Sequence, residues 1–202
     1  MRRLRVHVLA LFFGLATLAS AAAATPSQPP DEFIRTLSKE AISSLTGSGL
    51  DEGDREARFR ALFTENFDVQ SIAQFVLGLY WPRATQEQRA EYIKLFEDFV
   101  VRSYAKKFAD YSGDGFKTGA IIKMSGSDSV VSSQIRAREN KPPVRVDWRV
   151  RDNDTRYRIV DVMVEGISMS VTHRDEFAAV IRSSGGTVAG LIDALKKKTL
   201  TP

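Results

Sequence analysis

The sequence predicts a segregated α+β fold in which helices cover one face of a curved antiparallel sheet. From residue 31 to residue 110, apolar residues recur at helical spacing. From Gly113 onward, short β-branched runs alternate with turns rich in Gly, Ser and Asp. Helical spacing returns around Phe177. Because helices, strands and helices follow one another in separate blocks, we expect consecutive strands to pair in antiparallel fashion.

The first 24 residues have the pattern of an export signal. Arg2, Arg3 and Arg5 precede an apolar core at 8–19, and small residues follow at 20–24. We predict cleavage after Ala22 or Ala24. An uncleaved anchor is disfavoured because the stretch is shorter than the ~20 residues that cross a bilayer. Residues 25–202 are then expected to form a single domain in the periplasm.

Composition excludes several kinds of site. Three of the 29 basic residues lie in the leader, which leaves 26 against 25 acidic residues in the mature chain. This near-neutral balance disfavours a nucleic-acid binder. The chain has no cysteine, and His173 is its only histidine beyond the leader, so neither a thiolate nor a multi-histidine metal site is available. We expect no metal and no other cofactor.

Helix signals divide the first half of the mature chain. Asp31 is expected to cap a first helix, and a Gly-rich linker at 46–53 separates it from a second. Asp68 is expected to cap a third helix, which Pro82 ends.

The longest helix is predicted over residues 86–110. Thr85 and Gln88 have the spacing of a capping box at its start. Its wide aromatic stripe requires a large apolar partner, for which a sheet is the natural candidate.

Four strands are predicted, at 116–124, 129–137, 143–151 and 156–164. The third has the clearest alternation, since Val144, Val146, Trp148 and Val150 are interleaved with charged residues. One face of the sheet is therefore expected to be buried and the other wet. Two helices follow, separated by Gly185 and Gly186.

Catalytic motifs are absent from the sequence: it contains no GxSxG, HExxH, Walker A loop or helix-opening GxGxxG. His173 lies among polar residues at a predicted helix start, where a capping or surface role is the preferred interpretation. Asp161 shares strand parity with Tyr157 and is interpreted as a structural hydrogen-bond acceptor. The alternative is a small enzyme that uses Asp161, Tyr157 or His173 as acid or base.

A basic excess lies on the predicted third and fourth strands. Residues 136–158 include eight basic and four acidic side chains. This surface is either a docking site for an acidic partner or a lipid surface, or a solvated strand face, and the pattern does not separate the two.

Two stretches resemble the MlaC family of periplasmic phospholipid-binding proteins, the toluene-tolerance auxiliary component of an ABC lipid-transport system. The first contains Phe59, Leu62, Phe63, Leu77, Gly78, Tyr80, Trp81, Arg83, Ala84, Thr85, Gln88, Phe96, Phe99 and Tyr104. The second contains Val146, Asp147, Trp148, Tyr157, Ile159, Val160, Asp161, Val162, Val164, Glu165, Gly166, Ile167, Ser168, Arg174, Glu176, Phe177, Gly186, Leu191, Ile192 and Leu195. The resemblance covers roughly residues 31–197. One departure is Pro82, which stands where the family usually has arginine, with Arg83 as a candidate substitute.

The resemblance implies an NTF2-like fold whose curved sheet and helices enclose an apolar cavity for the acyl chains of a phospholipid or a hopanoid-type lipid. It also implies shuttling between an outer-membrane lipoprotein complex and an inner-membrane MCE-domain ABC transporter, with no catalytic residue. The candidate cavity wall comprises Phe96, Phe99, Val100, Tyr104, Val146, Trp148, Val150, Ile159, Met163, Val164, Ile167 and Met169. Candidate headgroup or partner contacts are Arg83, Arg145, Arg149 and Arg174. A lipid-free adaptor that binds proteins through its Arg-rich strands is a further alternative.

Overall fold

A computed structural model describes residues 28–46, 49–109, 115–136, 142–153 and 155–200. Within these ranges the chain forms six α-helices and one five-stranded sheet. The helices are α1 (Pro30–Leu45), α2 (Glu52–Asn66), α3 (Val69–Leu77), α4 (Gln86–Tyr104), α5 (Met169–Ser183) and α6 (Val188–Leu200). The strands are β1 (Phe116–Lys123), β2 (Asp128–Ile135), β3 (Val144–Asp152), β4 (Tyr157–Val164) and β5 (Ile167–Ser168). The predicted leader, residues 1–24, lies outside the described residues.

Two of the predicted helix starts are confirmed by their hydrogen bonds. The Asp68 carboxylate accepts from the backbone N–H of Ser71 at the start of α3. Thr85 and Gln88 form both bonds of a capping box at the start of α4. These signals are local, because cap and acceptor lie three residues apart.

The prediction that Asp31 caps α1 was wrong. The helix begins at Pro30 and has no side-chain cap. Proline suits the first helical turn because its φ is fixed near the helical value and it has no N–H to satisfy. Asp31 instead lies inside this turn, where it forms a 3.0 Å ion pair with Arg35.

Helix α4 is shorter than the predicted 86–110. It ends at Tyr104 and continues as a 3-10 turn, Ala105–Phe108. A second 3-10 segment, Gly78–Arg83, follows α3 and contains Pro82. Asp110, the predicted end of α4, lies outside the described residues.

The sheet is antiparallel throughout, with strand order β1-β2-β3-β4-β5. The predicted α+β class is confirmed, and the four predicted strands are present, although Ala137 at the end of the second lies outside the described part of the chain. β5 was not predicted. It forms through a two-residue turn in which Glu165 and Gly166 have φ of 50° and 79°.

A β-bulge in β4 changes which side chains face the helices. Arg149 pairs with Asp161, whereas the next residue, Val150, pairs with Ile159, so Val160 is the extra residue. Ile159 packs against the helices together with Val150. Beyond the bulge, Val162 faces inward again, because it pairs with Trp148.

The described residues form two apolar clusters, one among the helices and one between helix α1 and the sheet. The larger joins α3, α4, α5 and α6 around residues such as Tyr92, Phe96 and Phe177. The smaller places Ile34 and Leu37 of α1 on the inward face of the sheet. Within the described ranges, none of the helices combines the length and apolar character needed to cross a bilayer.

Candidate functional site

A cavity of about 260 Å³ lies between the inward face of the sheet and helices α1, α2, α3, α4 and α5. Its helical side is formed by Leu37, Ala41, Leu45, Phe59, Leu62, Phe63, Phe67, Ile72, Phe96, Val100, Tyr104 and Phe108. The sheet and the start of α5 contribute Trp148, Asp161, Val162, Val164, Met169, Ser170 and His173. The lining is almost entirely apolar, and the volume lies just below the ~300–1,000 Å³ of typical ligand pockets.

A second apolar cavity of about 220 Å³ adjoins the first. The two share Leu37, Ala41, Phe108 and Trp148 as lining residues. The second continues between α1 and the sheet toward Phe116 and Ile135. Together they provide a longer apolar space than either cavity alone.

Six of the predicted wall residues line the first cavity. They are Phe96, Val100, Tyr104, Trp148, Val164 and Met169. Three come from one face of α4, and Trp148 and Val164 come from the inward face of the sheet. The pattern of the long aromatic helix opposite an alternating strand therefore identified two sides of the cavity.

The other six predicted wall residues lie outside the cavity lining. Val150 and Ile159 face inward but are covered by α1, and Phe99 packs in the helical core against Phe177. Val146 is buried between its cross-strand neighbours Ser133 and Val164.

Met163 and Ile167 are displaced for a different reason. Met163 pairs with Asp147 on the outward face, since the bulge brings Val162 and Val164 inward. Ile167 lies at the β4–β5 turn and is 60% exposed.

The wall contributed by α1 and α2 was missed. Leu37, Ala41, Phe59, Leu62 and Phe63 line the cavity, but none of them was among the predicted wall residues. A helical stripe indicates that residues are buried but not what they face. The one available signal was the density of phenylalanine, 12 in the chain.

Asp161 acts as a hydrogen-bond acceptor at the sheet edge. Its carboxylate accepts from the N–H of Val162 (2.9 Å), the hydroxyl of Ser168 (2.6 Å) and the N–H of Ser170 (3.1 Å). Ser168 in turn caps α5. These contacts support the structural interpretation of Asp161, because they tie the start of α5 to the bulge in β4.

His173 was predicted at a helix start, and this placement was wrong. Helix α5 begins earlier, at Met169, so His173 lies within it and turns toward the cavity. Its Nε2 is 2.9 Å from the Tyr104 hydroxyl and its Nδ1 is 3.0 Å from the Glu176 carboxylate. Tyr157 lies outside the lining and packs against Phe33, so the three candidate acid–base residues are not brought together.

The four predicted cationic contacts lie outside the apolar cavity. Arg145 binds Asp147 (2.9 Å) on the outward face of the sheet. Arg174 lies 4.9 Å over the Phe75 ring and Arg83 lies 5.5 Å over the Tyr80 ring. None of these positions can contact the middle of a chain held inside the cavity.

Arg149 shares a carboxylate with Arg151. Both guanidinium groups lie 2.8 Å from Asp128. The hydrogen bond from Arg151, with further help from both positive charges, holds the pKa of Asp128 below its usual range. Much of the basic excess of β3 is therefore balanced within the sheet, which favours the solvated-face interpretation.

No group of three His, Asp or Glu side chains in the described residues is arranged to hold a metal ion. Asp161, His173 and Tyr104, the ionisable residues of the cavity lining, each have hydrogen-bond partners. The arrangement provides a concave apolar surface with a polar edge.

Comparisons with known proteins agree with this architecture. A crystallised phospholipid-binding protein from Ralstonia solanacearum, described in complex with a phospholipid, superimposes with a TM-score of 0.75. The two chains are 22% identical over 85% of this chain and 97% of that chain. The sequence model of the family described as MlaC protein matches residues 35–197. The chain thus belongs to the MlaC family.

Proposed function

We propose that this protein is a lipid carrier that holds acyl chains in the cavity between its sheet and helices. The observation that carries the proposal is the apolar lining of that cavity, contributed by five helices and the sheet. Membership of the MlaC family supports it. Further support is the shared fold of the Ralstonia protein, which is described with a bound phospholipid.

The physical need for such a carrier follows from the hydrophobic effect. Each methylene exposed to water costs ~0.8 kcal/mol, so a chain of ~15 methylenes costs ~12 kcal/mol to move through water unaided. Transfer between a bilayer and an apolar cavity exchanges one apolar environment for another and is close to neutral. The protein can then both take up and release its lipid without a catalytic step.

The compartment and partners belong to the same proposal. The export pattern of residues 1–24 supports a periplasmic location. There the carrier would move lipid between an outer-membrane lipoprotein complex and an inner-membrane MCE-domain ABC transporter. Phospholipid is the proposed cargo, and a hopanoid-type lipid is the alternative.

Native mass spectrometry of the mature protein, followed by organic extraction and lipid identification, tests the proposal. A stoichiometric phospholipid with intact ester bonds is the expected result, and a hopanoid would change the cargo but keep the carrier. A lipid-free mass, together with failure to take up lipid from vesicles, would overturn the proposal and favour the adaptor. Loss of acyl chains during incubation would instead indicate a hydrolase. The N-terminal sequence of the protein recovered from the periplasm checks cleavage after Ala22 or Ala24.

A further inference from the structure

A chain of three polar side chains runs from the cavity wall to the protein surface. The hydroxyl of Tyr104 is 2.9 Å from His173 Nε2, and His173 Nδ1 is 3.0 Å from Glu176. Tyr104 and His173 both line the cavity. The side chain of His173 is 12% exposed and that of Glu176 is 57% exposed. The chain therefore connects the apolar interior to solvent.

The surroundings of this chain are apolar inside and basic at the rim. The Phe99 ring packs edge-on against the His173 ring at 5.2 Å. Lys107 lies 4.6 Å over the Tyr104 ring, and Lys198 lies 4.7 Å over the Phe99 ring. The charged groups around His173 are thus Glu176 on its own helix, these two lysines, and Asp161, which lines the same cavity. The two ammonium groups favour electron-rich oxygen atoms nearby.

The hydrogen bonds of His173 determine what Tyr104 can offer a ligand. In a neutral imidazole, Nδ1–H donates to the Glu176 carboxylate, so Nε2 must accept from the Tyr104 hydroxyl. The opposite tautomer would set the Nδ1 lone pair against that carboxylate. In an imidazolium both nitrogens donate, so Tyr104 becomes the acceptor of the Nε2–H bond and its own O–H can donate into the cavity. There its one other partner among the described residues is the weak acceptor Met169 Sδ, 3.8 Å away, which a lipid oxygen can replace.

The Tyr104 hydroxyl keeps its proton in either state. Burial raises its pKa, and the negative charge of Glu176 raises it further. Asp161 cannot replace it as a donor, because its carboxylate already accepts three hydrogen bonds. Tyr104 and Ser170 both bring a hydroxyl to the cavity lining, and Tyr104 is the one whose donor direction is set by His173.

We propose that Tyr104, oriented by His173 and Glu176, is an anchor for a hydrogen-bond-accepting oxygen of the bound lipid, either an ester carbonyl or a phosphate oxygen. The inference rests on the proposed carrier function and adds to it a polar recognition point. Anchoring the oxygen takes up one proton at His173. Because the anchored state holds one more proton than the neutral state, a lower pH favours binding.

The test measures how much lipid the protein takes up from vesicles as the pH is lowered. One set of vesicles contains a diester phospholipid, and the other contains its diether analogue with the same headgroup and chain length. Tyr104→Phe removes the donor and keeps the ring, and the expected loss of affinity at the acidic end is about 3- to 10-fold. His173→Gln retains a polar partner for Tyr104 but does not titrate, so its binding should no longer depend on pH. Tyr80→Phe, which removes a hydroxyl outside the cavity lining, is the matched control and should bind as the wild type does.

The two lipids distinguish the source of the oxygen. A loss confined to the diester assigns the ester carbonyl, and an equal loss for both lipids assigns the phosphate. Wild-type affinity of folded Tyr104→Phe for both lipids would overturn the anchor but leave the carrier in place. If Tyr104→Phe does not fold, a pH dependence in His173→Gln equal to that of the wild type overturns the anchor. Absence of uptake by the wild type would overturn the carrier and the anchor together.

Discussion

The indole Nε1–H of Trp148 donates a 2.9 Å hydrogen bond to the hydroxyl of Ser133, which in turn donates a 2.8 Å bond to the carbonyl of Val146. Ser133 lies on the neighbouring strand and is buried. The bond satisfies the polar edge of an indole whose ring lines both apolar cavities. A tryptophan can therefore form part of an apolar wall here without leaving a buried donor unpaired.

Ser133→Ala is expected to destabilise the protein and to weaken lipid retention. It removes the acceptor of a buried indole N–H, at a cost of about 1–3 kcal/mol in the free energy of unfolding. Urea denaturation measures the loss of stability, and the lipid content of the purified protein measures the loss of lipid retention. Ser132→Ala is the control, since Ser132 pairs with Asp147 on the outward face. Equal behaviour of the two variants would contradict a role for the Trp148–Ser133 bond.

Adjacent substitutions on β4 test which face of the sheet contacts the lipid. Val164 lines the cavity, whereas Met163 faces outward. Val164→Asn places an amide without a partner in an apolar wall, so we expect lipid affinity to fall about tenfold or more. Met163→Asn should retain its lipid. Mass spectrometry of both folded variants measures the amount of lipid bound per protein. A larger loss of lipid in Met163→Asn than in Val164→Asn would reverse the assignment of the two faces.

Filling the space beside Ala41 should exclude lipid without unfolding the protein. Ala41 lines both cavities, so the ring of Ala41→Phe is expected to occupy space that an acyl chain would use. Filling an apolar cavity commonly adds ~0.5–2 kcal/mol to stability. The predicted outcome is a raised or unchanged melting temperature of the lipid-free protein together with reduced uptake from vesicles.

Ala57→Phe serves as the control for this variant. Ala57 is exposed on α2, outside the cavity lining. Its replacement adds the same apolar surface and should leave uptake unchanged. Full lipid loading of a stably folded Ala41→Phe protein would show that the lipid does not use the space beside Ala41.

Local signals in the sequence were sufficient to predict most of the secondary structure. Asp68, Thr85 and Gln88 cap helices through residues three positions away, so the chain close to each determines its role. The alternation in β3 likewise places Trp148 on the inward face without reference to the rest of the fold. These elements identified the sheet side of the cavity.

The bulge and the polar chain depend on contacts between distant segments. At Ile159, the carbonyl of β4 accepts a hydrogen bond from the N–H of Asp68, before α3. Two residues later, the side chain of Asp161 accepts from the N–H of Ser170 in α5. The bulge in β4 lies between these two contacts. Side-chain alternation within residues 156–164 does not indicate these distant contacts, so the inward-facing residues of β4 could not be assigned from the sequence. The contact of His173 with Tyr104 was not predicted for the same reason, because it joins residues 69 positions apart.

Asp128 provides a prediction on the outward face of the sheet. Its side chain is 6% exposed and its carboxylate binds both Arg149 and Arg151. The hydrogen bond from Arg151 is the main reason that the pKa of Asp128 is lowered in the folded protein. The ionised carboxylate therefore contributes stability that is present above the pKa of an unfolded aspartate, ~3.9.

That contribution is lost as the pH falls through the lower pKa of the folded state, because the protonated carboxyl no longer pairs with the two arginines. Asp128→Asn lacks the charge at every pH. We therefore expect the wild type to exceed this variant in the free energy of unfolding at neutral pH, and the difference to shrink as the pH is lowered below about 4. Urea denaturation across this range measures it, with Asp193→Asn, at an exposed position on α6, as the control. A difference that stays constant with pH would show that Asp128 acts through its shape and neutral hydrogen bonds, whereas a decreasing one assigns the effect to its charge.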